Sequence, residues 1–270
     1  MNDEQQAKYT HGHHESVLRS HQRRTAEDSA GYLLPHLRPG LSLLDVGCGP
    51  GTITADLAER VAPGPVTAVD QFADVVNVAH AETQRRNLSN VTFATADVHR
   101  LNFPDDSFDV VHAHQVLQHV ADPVRALREM RRVCVSGGIV AARDADYSGF
   151  VWFPQLPELD LWRDLYQQAA RANGGEPDAG RRLLSWAQQA GFDDIAPAGS
   201  LWCYATAATR EWWGGMWADR ILHSGVAREL LHLGLAAPAQ LEEISAAWLA
   251  WAAAPDGWLA IPHGEIICRA

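Results

Sequence analysis

Between Leu41 and Asp144 the chain alternates two periods of apolar spacing. Short apolar runs, "LSLLDV", "GPVTAVD", "NVTFATAD", "FDVVHAH" and "GGIVAARD", read as strands. The stretches between them carry apolar residues at helical spacing. In "FADVVNVAHAETQRR", Phe72, Val75, Val76 and Ala79 fall at i, i+3, i+4 and i+7, one face of a helix; "TITADLAERV" and "PVRALREMRRV" read the same way. Strands that alternate with helices predict βαβ units, hence a parallel sheet with helices on both faces and right-handed crossovers. Beyond Asp144 the rhythm loosens. "LDLWRDLYQQAARAN" and "GRRLLSWAQQAGF" read as helices, the second stopped at Gly191. "IAPAGSLWCYAT" reads as a strand, Thr209 to Trp258 as a helical stretch, and "GEIICRA" as a last strand. The expectation is an α/β fold with a doubly wound, mostly parallel seven-stranded sheet. Residues 1–30 are expected as a helical arm over it, and residues 31–270 as a single ligand-binding α/β domain with substrate-covering insertions at about 148–190 and 207–262.

Composition narrows the field. The chain has 270 residues, 47% apolar and 20% charged, enough for one large globular domain. A formal net charge of −11 argues against nucleic acid as a partner, because phosphate binding needs a basic surface. Cys48, Cys134, Cys203 and Cys268 lie far apart, with neither zinc spacing nor a disulfide framework, which points to a reducing cytoplasm. The polar start "MNDEQQAKYTHGHHES" does not read as a signal peptide. The longest apolar run, "AAWLAWAAA", falls short of the roughly 20 residues that span a bilayer. No membrane partner is expected, and a homo-oligomer is left open. All ten tryptophans lie at Trp152 or beyond, so the two halves of the chain have different tasks.

The chemistry begins at "LLDVGCGPG". Gly47, Gly49 and Gly51 form G-x-G-x-G, not the G-x-G-x-x-G of dinucleotide binders, and no Lys-Ser/Thr follows as in a P-loop. Missing side chains let a ligand approach the backbone. Asp45, just before the turn, would repel a pyrophosphate and favour an ammonium group. In a doubly wound sheet the ligand sits beyond the carboxyl ends of the strands where their order reverses, and this turn lies there. A cofactor with a cationic amino-acid end, a sulfonium and an adenosine fits: S-adenosylmethionine. The plainer alternative is that Asp45 caps the turn's own amides. Asp70 closes the second strand 23 residues after Gly47, where an acid accepts both ribose hydroxyls, or else it caps the next helix. Asp97 follows the third strand. With the Val98 amide it can pair with the adenine amino edge, or it is a turn residue only.

These residues, with "AVDQF", "TADVHRLNFPDDSFDVVHAHQVLQHVADP" and "EMRRVCVSGGIVAARD", resemble the class I S-adenosylmethionine-dependent methyltransferases over about residues 40–145. The branch they resemble holds the ubiquinone/menaquinone-type enzymes, and "YTHGHHESVLRSHQRRTAEDSAGYLLPHL" is similar to the arm of its small-molecule subgroup. "CVSGG" departs from the family's Lys/Arg-Pro-Gly-Gly, a turn variant without consequence for the cofactor. The resemblance implies that Asp45 and the turn of Gly47, Cys48, Gly49 and Gly51 hold the methionine end. It assigns the ribose to Asp70, with Gln71 beside it, the adenine to Asp97 and Val98, and a cofactor-lining role to His114, Gln115 and Val116.

Methyl transfer from a sulfonium is an in-line displacement. The protein must align a nucleophile, exclude water and, for some acceptors, take a proton. Trp152 and Phe153 after the fifth strand, with Trp202, Trp213 and Trp217 and the neighbouring Tyr204 and Trp212, are candidates for an aromatic substrate wall. Packing of helices on the sheet is the plainer role for any one of them. Base candidates are His14 and Tyr9 in the arm, beside His11, His13 and Glu15, and Asp144 in "RDADY". Asp144 anchors a substrate N–H or O–H or only caps a loop; Tyr147, three residues on, joins the wall. His119 is read as structural, and Arg23 and Arg24 as reaching the methionine carboxylate or facing solvent. Nothing completes a metal site around "HGHHE". The function expected is methylation of a small aromatic or hydrophobic molecule, such as an aromatic or isoprenoid natural product, giving S-adenosylhomocysteine. Attack by carbon, oxygen or nitrogen is open. The alternatives are an NAD(P)-dependent oxidoreductase on a similar sheet and a catalytically inactive cofactor-binding subunit.

Overall fold

A computed structural model describes residue 7, residues 9–10 and residues 20–270. Its strands are β1 (Leu43–Val46), β2 (Val66–Asp70), β3 (Val91–Thr95), β4 (Phe108–His114), β5 (Cys134–Ala145), β6 (Val151–Phe153), β7 (Ile195–Tyr204) and β8 (Trp258–Arg269). Its helices are α1 (Ala26–Ser29), α2 (Thr52–Val61), α3 (Ala73–Arg85), α4 (Pro123–Val133), α5 (Pro157–Ala172), α6 (Leu183–Gln189), α7 (Ala207–His223), α8 (Gly225–His232) and α9 (Pro238–Ala253).

β1 to β5 run parallel in the order β3-β2-β1-β4-β5, and β8 continues the sheet antiparallel to β5. Strand order reverses between β1 and β4, which opens a crevice beyond their carboxyl ends. The eight strands of the described residues occupy seven lanes. β5 pairs with His263–Arg269 of β8 and β6 with Trp258–Ala260, while β7 covers the other side of β8 from Leu259 to Cys268. β6 therefore takes up the lane that β5 leaves. The last strand starts at Trp258, six residues before "GEIICRA", so residues 258–262 of the expected second insertion belong to the sheet.

The apolar periodicity has the consequence it implies. All four residues of β1 are buried, as a central strand covered on both faces must be. α4 shows Ala126, Leu127, Met130 and Val133 to the sheet at helical spacing and starts with the Asp122 carboxylate capping the Arg125 amide. Leu183 and Ala187 of α6 join that same sheet-side core, so this end of the expected first insertion packs with the sheet.

The tryptophans form a second core. α5, α7, α8 and α9 meet around Trp162, whose ring lies 4.5 Å from Trp217 and 4.9 Å from Trp248. Two expected wall residues are corrected here. Trp152 is 4% exposed and packs toward Trp162, and Phe153 is 52% exposed on the surface. Side chains alternate along β6, so one ring enters the core and the next leaves the protein; neither lines the crevice. Among the described residues no helix is long and apolar enough to cross a membrane.

Candidate active site

A cavity of about 520 Å³ opens over the carboxyl ends of β1, β2 and β4. It has two halves. One is the glycine turn with its acids; the other is an aromatic wall from β7 and α7.

In the first half the turn is held by its own backbone. The amides of Gly47 and Cys48 donate to Val69 O, Gly49 donates to an Asp70 carboxylate oxygen at 3.2 Å, and Gly51 donates to Cys48 O. A phosphate cradle needs such amides free, so this turn is not built for one. Gly47 and Gly49 both have positive φ, +71° and +53°. A Cβ on Gly47 would stand 2.3 Å from the Val116 side chain, whereas beside Gly49 the space is open to the cavity. Gly51 is a correction: it does not line the cavity. A Cβ there would lie 2.8 Å from Ala79, so its task is close packing of α2 on α3.

Asp45 borders the cavity with its carboxylate already engaged. Oδ1 faces His112 Nδ1 at 2.8 Å and Oδ2 accepts from Thr54 Oγ1 at 2.5 Å. It caps no amide of the turn among these bonds. A carboxylate has about four acceptor sites, so capacity for an ammonium group remains. The partnership with His112 follows from register, since Asp45 and His112 are opposed residues on the parallel strands β1 and β4. Asp70 accepts from the amides of Gly49 and Phe72, and the N-cap of α3 is Phe72, so Asp70 is not the cap of that helix. Asp97 accepts from the His99 amide at 2.9 Å and pairs with its ring at 2.8 Å. Burial works against the Asp97 carboxylate, but these bonds prevail and hold it below the ordinary range. Gln71 and the buried Val98 also line this half. Three acids, Asp45, Asp70 and Asp97, and the apolar Val98, spaced over the ends of β1–β3, fit an elongated ligand with a cationic end and an adenosine.

The second half contains Tyr147, Phe150, Trp202, Tyr204, Trp213 and Trp217, and Trp212 also reaches it. Tyr204 stacks on Trp213 at 4.5 Å and 17°. Both members of the adjacent pair Trp212 and Trp213 border the cavity. Trp213, Trp217 and Arg220 recur at i, i+4 and i+7 on α7, so Arg220, which the sequence reading passed over, was within reach of the helical period.

At the junction stands His114. It is buried, both ring nitrogens lack partners, and burial followed by the charges of Arg24 and Arg143 keeps it neutral, well below its ordinary range. Gln115, at φ +53°, contacts His263 Nε2 at 3.0 Å and accepts from Arg24 at 2.7 Å. Arg23 lies over Trp212 and Arg24 over Trp202.

The base candidates fare differently. His14, with His11, His13 and Glu15, lies outside the described residues. Tyr9 lines the cavity edge-on to His119 at 4.9 Å, and burial pushes its phenol up to about 12, so it keeps its proton and serves as a donor rather than a base. Burial lowers His119 to about 3. Asp144 is corrected. It lies beneath the cavity rim, where Oδ1 accepts the Gln118 amide at 3.0 Å and fixes the 3-10 turn Leu117–His119 after β4. Among the described residues no cluster of His, Cys, Asp or Glu could hold a metal ion.

Comparison with known proteins gives one consistent result. A family model described as a methyltransferase domain matches residues 37–191. An uncharacterized methyltransferase of Schizosaccharomyces pombe is 34% identical over 272 residues, covering 97% of this chain and 96% of its own. The ubiquinone/menaquinone biosynthesis C-methyltransferase UbiE of Bdellovibrio bacteriovorus is 37% identical over 103 residues, 38% of this chain and 43% of its own, so that likeness is partial. Among solved structures, an S-adenosylmethionine-dependent methyltransferase from Aquifex aeolicus superposes with a TM-score of 0.51 at 19% identity, covering 68% of this chain and 89% of its own.

Proposed function

The chain belongs to the class I S-adenosylmethionine-dependent methyltransferases, and we propose that it methylates a small planar or hydrophobic acceptor lodged in the aromatic half of its cavity. The observation that supports this reading most directly is the continuity of one cavity from the acids of β1–β3 to the rings of β7 and α7. Asp45, Gly47, Cys48 and Gly49 would hold the methionine end, Asp70 with Gln71 the ribose, and Asp97 with Val98 the adenine. His114 and Gln115 would border the junction. When bound, S-adenosylmethionine supplies an electrophilic methyl group and leaves as S-adenosylhomocysteine.

The chain's own share is alignment and dryness. Placing a nucleophile in line with a methyl group can lower a barrier by roughly 7–11 kcal/mol. The stacked Tyr204–Trp213 pair and Tyr147, itself stacked on Phe150 at 4.5 Å, offer flat walls to a flat acceptor and exclude water. Aromatic faces also stabilise positive charge that develops on an acceptor, by about 0.5–2 kcal/mol each. His114, neutral and with both ring nitrogens unpartnered, can accept a hydrogen bond from an acceptor's N–H or O–H and so orient it. An aromatic or isoprenoid natural product has the shape such a chamber admits.

The test is calorimetric titration with S-adenosylhomocysteine and with NAD+, followed by transfer of labelled methyl to a panel of aromatic and isoprenoid acceptors. We expect saturable binding of S-adenosylhomocysteine alone, weakened about tenfold or more in Asp70→Ala as two charge-assisted hydrogen bonds are lost. Binding of NAD+ in its place would overturn the reading, and tight binding without transfer to any acceptor would leave an inactive binding subunit.

A further inference from the structure

The aromatic half of the cavity holds one guanidinium, that of Arg24, for which the described residues supply no ion pair. Arg24 lines it, between the end of β4 and β7. Its contacts are the Gln115 side-chain oxygen at 2.7 Å and the face of Trp202 at 5.2 Å, both neutral; among the described residues it makes no ion pair. Arg143, by contrast, is ion-paired, with Glu265 at 3.0 Å and Ser200 at 3.1 Å from its Nε. Arg220 adds a second buried guanidinium to the wall. It lies over Trp217 and donates to Ser20 at 2.7 Å. Burial depresses both groups, Arg220 to about 10, as expected where a cation has lost water.

Among the described residues none of the acids that border the cavity pairs with Arg24, although Asp28 is near enough to favour its charge. Asp45 holds His112 and Thr54, Asp97 holds His99, Asp70 accepts the Gly49 and Phe72 amides, and Asp28 accepts from Thr25 and Ser29. Trp213 lines the aromatic half with its indole N–H buried and without an acceptor. A guanidinium left without an anion in a site that sheds its water is costly, and its fork matches a carboxylate bidentately.

We propose that the methyl acceptor bears a carboxylate, which pairs with Arg24 and is flanked by Arg220 and the Trp213 N–H, while its ring or chain lies between the aromatic walls. The proposal rests on the methyltransferase reading above and narrows its acceptor to aromatic or hydrophobic acids. The other source of a carboxylate at Arg24 is the amino-acid end of the methyl donor, and the experiment separates the two.

With the full chain saturated by S-adenosylhomocysteine, 4-hydroxybenzoate, 1-hydroxy-2-naphthoate and their methyl esters are titrated calorimetrically into wild type, Arg24→Met and Arg24→Lys. The expected result is an acid-over-ester preference of at least about tenfold in wild type, lost in Arg24→Met and kept in part by Arg24→Lys, with S-adenosylhomocysteine affinity within about twofold throughout. Equal binding of acid and ester, or no binding of either acid, overturns the proposal. So does Arg24→Met weakening S-adenosylhomocysteine while the acid preference stands, which assigns Arg24 to the donor. If wild type fails to bind S-adenosylhomocysteine at all, the methyltransferase reading itself falls, an outcome distinct from these.

Discussion

Asp144 shows how a single residue can carry the expected chemistry type and a different task. Its position at the end of β5 is the ligand edge of the sheet, but its oxygen meets the amide of Gln118, and its second oxygen has no partner. Burial raises this carboxyl from 3.8 to about 7, against the lowering effect of the Gln118 and Leu117 amides. A carboxyl whose folded pKa exceeds its unfolded value stabilises the fold fully below the unfolded value, and that contribution is lost as pH rises through the folded one. Between about pH 4 and pH 7 wild type should therefore lose stability on the order of 1–4 kcal/mol from this group. Asp144→Asn keeps an acceptor for the amide and has no charge to bury. Its denaturation midpoint relative to wild type should rise steadily from pH 4 to pH 8, and a constant difference would show that the carboxylate ionises there without penalty. Asp45, by contrast, was legible as a ligand-edge acid from its place before the glycine turn, but its bond to His112 needed the pairing of β1 with β4, 67 residues apart.

At the scale of elements, the turn between β1 and α2 separates two uses of glycine. Gly51→Ala places a methyl 2.8 Å from Ala79 at a φ of +82°, so strain and overpacking together should cost roughly 2–5 kcal/mol of stability. Gly49→Ala meets nothing within 4 Å at a φ of +53° and should cost only about 1–2 kcal/mol. Its methyl faces the cavity, so S-adenosylhomocysteine should bind about tenfold more weakly as close backbone approach is lost. Parallel urea melts and titrations of the two variants check this; equal loss of stability in both would remove the distinction. Elsewhere the helical period carried more than was drawn from it. On α7 the 3.6-residue repeat already places Trp213, Trp217 and Arg220 on one face, whereas β6 was too short, at three residues, to reveal from pattern which of Trp152 and Phe153 points inward.

For the whole molecule, several hydrophobic clusters pack on one sheet, and two of them back the two halves of the cavity. The sheet-side core under α4 and α6 belongs to the donor half, and the tryptophan core of α5, α7, α8 and α9 backs the acceptor half. Trp162→Ala removes the ring at the centre of the second core and should cost about 3–5 kcal/mol in a denaturant melt. Trp162 does not line the cavity, so the folded variant should still bind S-adenosylhomocysteine; loss of that binding would show the two cores to be one unit. The sequence by itself determined the βαβ succession, the parallel sheet and the ligand edge with Asp45, the glycine turn, Asp70 and Asp97, because periodicity, turn glycines and strand-end acids are local signals a few residues long. Only the tertiary structure decided which tryptophans pack and which face the cavity, that Asp144 lies beneath it, and that Arg24 makes no ion pair with the described residues. Those outcomes depend on which surfaces meet across elements far apart in the chain, and apolar or charged residue type alone does not encode the partner.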